Sequence, residues 1–291
     1  MTKKLRISLI NLATIAAALC ISTSSYSASF FQDSFESGDA SHAENGTHWG
    51  IAESPRVIVS DTLAHTGKYS LRFRYAPTAA GADYTAEERF YFGTQRNEVY
   101  IRYYIYFPTN YVHRSDGGPT NNKLFILFQS GATYSTNPIV LGAELEQGTT
   151  AISNITGKGW KTGYPATLSY TSGGYGYYSA LPQWRITSAD LGKWLCFEWH
   201  IKRDSGAGDG AFELWVDGVR VGGSTNLSYA GASSFSGYFG EGYLMGWANS
   251  GFDQQTDFYI DDVVFSDSYI GPLGTGSSIN SPQLSISSFS K

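Results

Sequence analysis

Arg102 stands among phenols. Between Tyr100 and Phe107 the residues alternate, so that Tyr100, Arg102, Tyr104 and Tyr106 share one side of an extended segment. Ile101, Tyr103, Ile105 and Phe107 take the other side. A guanidinium in that setting can pair with a carboxylate and acidify the carbon-bound proton beside it, while a phenol takes or gives a proton. Tyrosine ordinarily ionises near pH ~10, so a tyrosine base requires a cation at its side, and Arg102 supplies one to Tyr104. His200, between Glu198 and Lys202 on one face of the run Leu195–Lys202, is a second proton-transfer group.

Two other segments offer partners. From Ala86 to Phe92, the side holding Glu87, Arg89 and Tyr91 alternates with Glu88, Phe90 and Phe92. From Lys123 to Gln129, Lys123 and Gln129 share a face whose middle, Phe125 and Leu127, is apolar, and Asn122 leads into it. The expectation is a single groove. Arg102 and Lys123 would converge there with Tyr104 and His200 as the reacting groups, and Arg89, Tyr91, Tyr106, Asn122 and Gln129 would contact the ligand. The plainer alternative is a solvated sheet face with ordinary cross-strand Tyr–Arg pairs. Glu144 and Glu146, two residues apart on one strand face, open a different chemistry, since retaining glycoside hydrolysis uses two carboxyl groups about 5–5.5 Å apart.

Short extended segments must position these groups. Leu195, Phe197, Trp199 and Ile201 alternate with Cys196, Glu198, His200 and Lys202, which predicts a strand with one buried and one wet face. Phe212, Leu214 and Val216 alternate again, and Asp217-Gly218 before Val219 is the signature of a type I′ hairpin. Further strands are expected at 30–35, 56–60, 69–75, 86–92, 98–107, 123–128, 139–146, 243–247 and 258–265. No amphipathic helix longer than about two turns breaks the series. So many short strands in one unit imply an all-β, two-sheet antiparallel sandwich or jelly roll.

The two ends read differently. Lys3, Lys4 and Arg6 precede an apolar run from Ile7 to Ile21, with small residues Ser25 and Ser27 after it. That is the pattern of a secretory signal over residues 1–27, and the run is too short for a span of roughly 20 residues. Its removal takes three basic residues and no acidic one, moving the net charge from −5 to −8. Nucleic acid is therefore an unsuitable partner. Cys196 alone remains, so no intrachain disulfide can form. Residues 28–273 form the expected domain, taken as a monomer, and the Ser-rich stretch 274–291 reads as a flexible tail. The segment Tyr164–Tyr178 carries five tyrosines with glycines, suited to an aromatic rim.

Several segments carry a family resemblance. FQDSFESGD (31–39), HTGKYSLRF (65–73), KWLCFEWHIK (193–202), FELWVDG (212–218) and DFYIDDVVFSDSYIGP (257–272) resemble strands of the concanavalin A-like jelly rolls. AEERFYFG (86–93), EVYIRYYIYFPTNYVHR (98–114) and NNKLFILF (121–128) are similar to secreted polysaccharide lyases of the alginate and glucuronan type. The resemblance implies a jelly roll that cleaves a uronate polymer by β-elimination, or else a non-catalytic glycan-binding protein of the same fold. A structural surface protein is the third reading. It also implies a structural calcium between the first and last strands, with Glu36, Asp39 and Asp262 as ligands. No organic cofactor is expected.

Overall fold

The computed structural model describes residues 29–274, apart from 41–42, 47, 51–54, 115, 117–120, 130–139, 148–152, 163–174, 177–183, 206, 228–237 and 250. The expected leader, the Ser-rich tail and most of the tyrosine-rich segment lie outside the described residues. Seventeen strands follow one another. The first nine are β1 (Ser29–Asp33), β2 (Asn45–Gly46), β3 (His48–Trp49), β4 (Val57–Ser60), β5 (Ser70–Tyr75), β6 (Tyr84–Arg96), β7 (Glu98–Phe107), β8 (Asn121–Gln129) and β9 (Val140–Gln147). Then come β10 (Ser153–Thr162), β11 (Tyr175–Gly176), β12 (Trp184–Ile186), β13 (Lys193–Lys202), β14 (Gly210–Val216), β15 (Val219–Leu227), β16 (Phe239–Ala248) and β17 (Thr256–Ser266).

They form two antiparallel sheets. The nine-stranded sheet runs β15-β14-β13-β7-β17-β1-β2, with β5 also beside β17 and β4 beside β5. The eight-stranded sheet runs β11-β10-β9-β8-β16-β6-β3, with β12 on β10. Successive strands often change sheet, as β6 to β7 and β7 to β8 do. Non-sequential neighbours of this kind make a jelly roll and leave few exposed edges. Among the described residues no helix is long and apolar enough to cross a membrane.

The two inner faces meet in one core, and the alternation predicted it. Leu195, Phe197, Trp199 and Ile201 of β13 face Phe90, Phe125, Leu127 and Leu145 from the other sheet within one buried cluster. Phe31, Trp49, Phe90 and Phe265 pack edge-on or stacked at centroid distances of 4.7–4.8 Å along their contacts. At the predicted hairpin, Asp217 and Gly218 both have positive φ, 49° and 80°, as a type I′ turn demands. β10 escaped the alternation because Gly157 and Gly159 interrupt it; among the described residues Ile155 is the one it adds to the core cluster.

Two carboxyl groups are buried between the sheets. Asp33 accepts the Trp49 indole N–H at 2.5 Å and the Phe35 amide at 2.7 Å, so it ties β1 to β3 of the other sheet. Burial pushes its pKa up to about 6. Glu88 lies on the inward side of β6 between Ala86 and Phe90, with its carboxyl group fully buried. Burial first, then the charge of Glu87, pushes it up to about 9, so it is neutral at pH 7.

Candidate functional site

The groove expected on Tyr100–Tyr106 is closed by the protein's own chain. Arg102 lies in β7 of the nine-stranded sheet, whereas Lys123 lies in β8 of the other sheet, so the two cannot share a groove. Residues 270–273, following β17, cross the outward face of β7 and β13. Glu198 accepts the amides of Ile270 and Gly271 at 2.6 and 2.7 Å, Arg102 donates to the carbonyls of Gly271 and Asp262, and Tyr104 accepts the Leu273 amide. His65 stacks on Tyr104 from the opposite side, 3.6 Å between centroids. The outward face of β13 is consequently buried too, and Cys196 on it has its thiol pushed up to about 12 by that burial.

This setting works against the chemistry expected there. Burial raises the Tyr104 phenol, and the opposing pull of Arg102 is smaller. His200 holds Glu98 through Nε2 and Glu213 through Nδ1, each at 2.7 Å, and stacks on Tyr100, so both ring nitrogens are occupied by carboxylates. Tyr106 packs against Trp194 and Tyr259 on the same sheet. Arg102, Tyr104 and His200 are thus each engaged by groups of the chain itself, and Tyr106 packs among aromatic rings. Alternation told which residues share a face; it could not tell which sheet they belong to or what lies over it.

The eight-stranded sheet presents its outward face differently, in cross-strand rows. Glu144 of β9 sits directly opposite Lys123 of β8. Gly142, Ile126, Tyr243 and Arg89 form the next row across β9, β8, β16 and β6. Phe128, Glu241, Tyr91 and His48 form a third, in which His48 stacks on Tyr91 at 5.1 Å. Arg89, Tyr91 and Lys123 thus share one face, as expected. Tyr243, His48 and Asn249 were missed, because Gly242, Gly246 and the short β3 hide the strand period around them.

Two β-bulges converge on Lys123. Between Lys123 and Phe125, β8 spends two steps where β9 spends one, so Leu124 is an extra residue. That slip is why Lys123 points outward while Phe125 and Leu127 point into the core, against the shared face expected of them. Between Leu244 and Ala248, β16 spends four steps where β8 spends three. Asn122 pairs with Leu145 and Ala248, both core residues, and so lies on the inward side; Asn121 takes the outward place instead. Gln129 pairs with Phe239 at the far end of β8.

The Lys123 ammonium lies 2.8 Å from Glu144 Oε1 and 2.8 Å from Asn249 Oδ1, and Asn121 donates to Glu144 Oε2 at 2.9 Å. The ammonium is thus hydrogen-bonded to Asn249 and ion-paired with Glu144, and it is nearly buried, at 6% exposure. Glu144 is fully buried against this cation, so it anchors Lys123 and is unsuited to act as one of a hydrolytic pair with Glu146. Tyr243, itself only 3% exposed, packs with Ile126 and Phe128 in a small separate apolar cluster on this face. Its ring lies so close to Gly246 that a Cβ there would fall 2.5 Å from Cε2. The phenol thus runs along β16 toward the Lys123–Asn249 end. Arg89 donates to Glu87 at 2.8 Å. Burial pulls its pKa down, but Glu87 and the phenols of Tyr91 and Tyr243 lift it above the usual guanidinium value.

A family model described as polysaccharide lyase matches residues 35–264. The chain belongs to the polysaccharide lyase family. No curated protein sequence matches it. Among solved structures it is similar to a variant of alginate lyase Aly36B in complex with alginate tetrasaccharide, at 14% identity and a TM-score of 0.55, over 84% of this chain and 98% of that one. It is also similar to beta-agarase A from Zobellia galactanivorans, at 11% identity and a TM-score of 0.52, over 82% and 91%. Alginate lyase vAL-1 from Chlorella virus aligns at 10% identity and a TM-score of 0.50, over 76% and 93%. At such identities the likeness is one of fold, the jelly roll expected from the sequence.

For a polysaccharide lyase of this fold, calcium between the chain ends was also expected, and the donor set does not fit it. Glu36 Oε1 accepts the amides of Lys68 and Tyr69, both at 2.8 Å. Asp262 holds His65 Nδ1 and the Thr66 hydroxyl, and Asp261 accepts the amides of His65 and Thr66. Asp39 is exposed. Among the described residues no three acidic, imidazole or thiol groups gather to hold a metal. The turn 65–69 links the first and last strands with protein donors. His113 and Arg114 are likewise structural, bound to Tyr111 and to Thr78 and Asp116.

Proposed function

We propose that the protein cleaves a uronate-containing polysaccharide by β-elimination on the outward face of its eight-stranded sheet. The observation that carries this reading is the convergence of two bulges on Lys123, an ammonium held by Asn249 and Glu144, on the sheet face that also carries the Tyr243 phenol and the Arg89 guanidinium. Elimination needs an electron-withdrawing carboxylate next to the carbon that loses its proton. Lys123, positioned by Glu144 and Asn249, pairs with that carboxylate and stabilises the charge that builds on it as C5–H breaks. The electron pair forms the C4–C5 double bond, the C4–O4 bond breaks, and a proton reaches the departing O4.

Tyr243 is assigned the proton transfers, with Arg89 as the cation that favours its phenolate. Tyr91 and His48 border the same face one row away. The overall negative charge opposes an acidic polymer, so Arg89 and Lys123 carry the local attraction. Export through the leader at 1–27 and action as a monomer complete the reading. Incubating the protein with alginate, glucuronan and polygalacturonate while following the ultraviolet absorbance of unsaturated ends tests it. Release of such ends, lost in Lys123→Ala, is the expected result; release that persists in Lys123→Ala contradicts the assignment.

A further inference from the structure

Among the described residues Trp247 is an exposed large aromatic of the eight-stranded sheet, at 45%. It follows two consecutive left-handed residues, Met245 at φ 56° and Gly246 at φ 118°. Methionine carries a Cβ and rarely adopts such a φ, so the strand holds a strained conformation at this point. The strain has a visible consequence. Leu244 and Met245 both join the core, in succession, and Ala248 joins it again, while Trp247 between them is turned out. Across β6 its partner is Thr85, which by alternation shares the outward side with Glu87, Arg89 and Tyr91.

The bulge is held from behind. The hydroxyl of Tyr75, a buried residue of the nine-stranded sheet, lies 2.9 Å from the Gly246 carbonyl and 3.2 Å from that of Ala86. A buried carbonyl loosened from its ladder thus finds a donor across the core. Two residues beyond Trp247, Asn249 receives the Lys123 ammonium. One distortion of β16 therefore sets both the exposed indole and the acceptor that aims Lys123. An indole has a broad apolar face and a polar edge, which suits the C–H face of a pyranose ring.

We infer that Trp247 is a stacking platform for a pyranose residue of the polysaccharide next to the one held by Lys123, positioned by the Met245–Gly246 bulge and Tyr75. This rests on the proposed function, and the test separates the two. Trp247→Ala should raise KM on the cleaved polymer about tenfold, the worth of one aromatic contact, with kcat changed less than about threefold. Trp247→Phe should recover most of the loss, and thermal unfolding should be unchanged because the side chain is exposed. In a Lys123→Ala background, hexasaccharides of the three uronate polymers and of agarose are titrated while tryptophan fluorescence is read. A change in emission that disappears in Lys123→Ala/Trp247→Phe supports the platform, even if the wild type releases no unsaturated ends and the lyase reading fails. An unchanged KM in Trp247→Ala, or no Trp247-dependent emission change with any of these sugars, overturns it.

Discussion

The outward faces of the two sheets use the same kinds of residue and end in opposite states. On the nine-stranded sheet Arg102, Tyr104, Glu198 and His200 are bound by the chain's own amides, carbonyls and carboxylates. On the eight-stranded sheet Lys123 is held by Glu144 and Asn249, while Arg89 is half exposed and Trp247 projects outward. Groups bound by the chain itself lend rigidity, while catalysis needs donors aimed at a place the protein does not fill. Both faces carry bulges: β17 slips between Asp261 and Val264 beside Arg102, and β8 and β16 slip beside Lys123. The difference is that residues 270–273 cross the first and bind its polar groups.

Substitutions on the two faces should separate activity from stability. Lys123→Ala should lower turnover by roughly 10²–10³-fold, as loss of a charge-stabilising donor does, with the melting temperature as the control for folding. Tyr243→Phe should cost a factor of about 10² or more in kcat while binding of uronate oligosaccharides survives. Arg102→Met should do the reverse. Removing a buried cation beside Glu198 should destabilise the fold by about 3 kcal/mol, read by denaturant unfolding, and leave the specific activity of the folded fraction intact.

Glu88 gives a pH signature to the core between the faces. Its folded pKa of about 9 lies above the ordinary 4.5, so the unfolded chain ionises first as pH rises. Its contribution to stability is intact below pH ~4.5, declines as pH rises through the window up to about 9, and is level beyond. At 1.36 kcal/mol per pH unit the cost at pH 7 is about 3 kcal/mol. Glu88→Leu should therefore raise stability at pH 8 and flatten its fall between pH 5 and 9 in a urea titration. The smallest expected effect is that of chelation. With Glu36 and Asp262 engaged by the 65–69 turn, exhaustive treatment with a chelator should leave the melting temperature where it was.

Much of the fold was legible because alternation reports burial directly, as Leu195–Ile201 and the Asp217-Gly218 turn show. The site was legible only in part. Arg89, Tyr91 and Lys123 were expected on one face by residue type and spacing, and the strand rows put them on one face. Arg102 was misplaced because an identical alternation arises on either sheet, and only long-range pairing decides between them. Asn122 and Phe125 were put on the wrong sides because a single extra residue, Leu124, reverses the parity of everything beyond it. Tyr243 and Trp247 were missed as site residues because glycines surround them, and those glycines are what the bulge requires.

A structure of the Tyr243→Phe protein soaked with a uronate tetrasaccharide tests the central claim most directly. The sugar should lie across the eight-stranded sheet, with one carboxylate within hydrogen-bond distance of Lys123 Nζ and the scissile linkage facing position 243. A sugar bound instead on the nine-stranded sheet against Tyr100 and Tyr106, with residues 270–273 displaced, would contradict it.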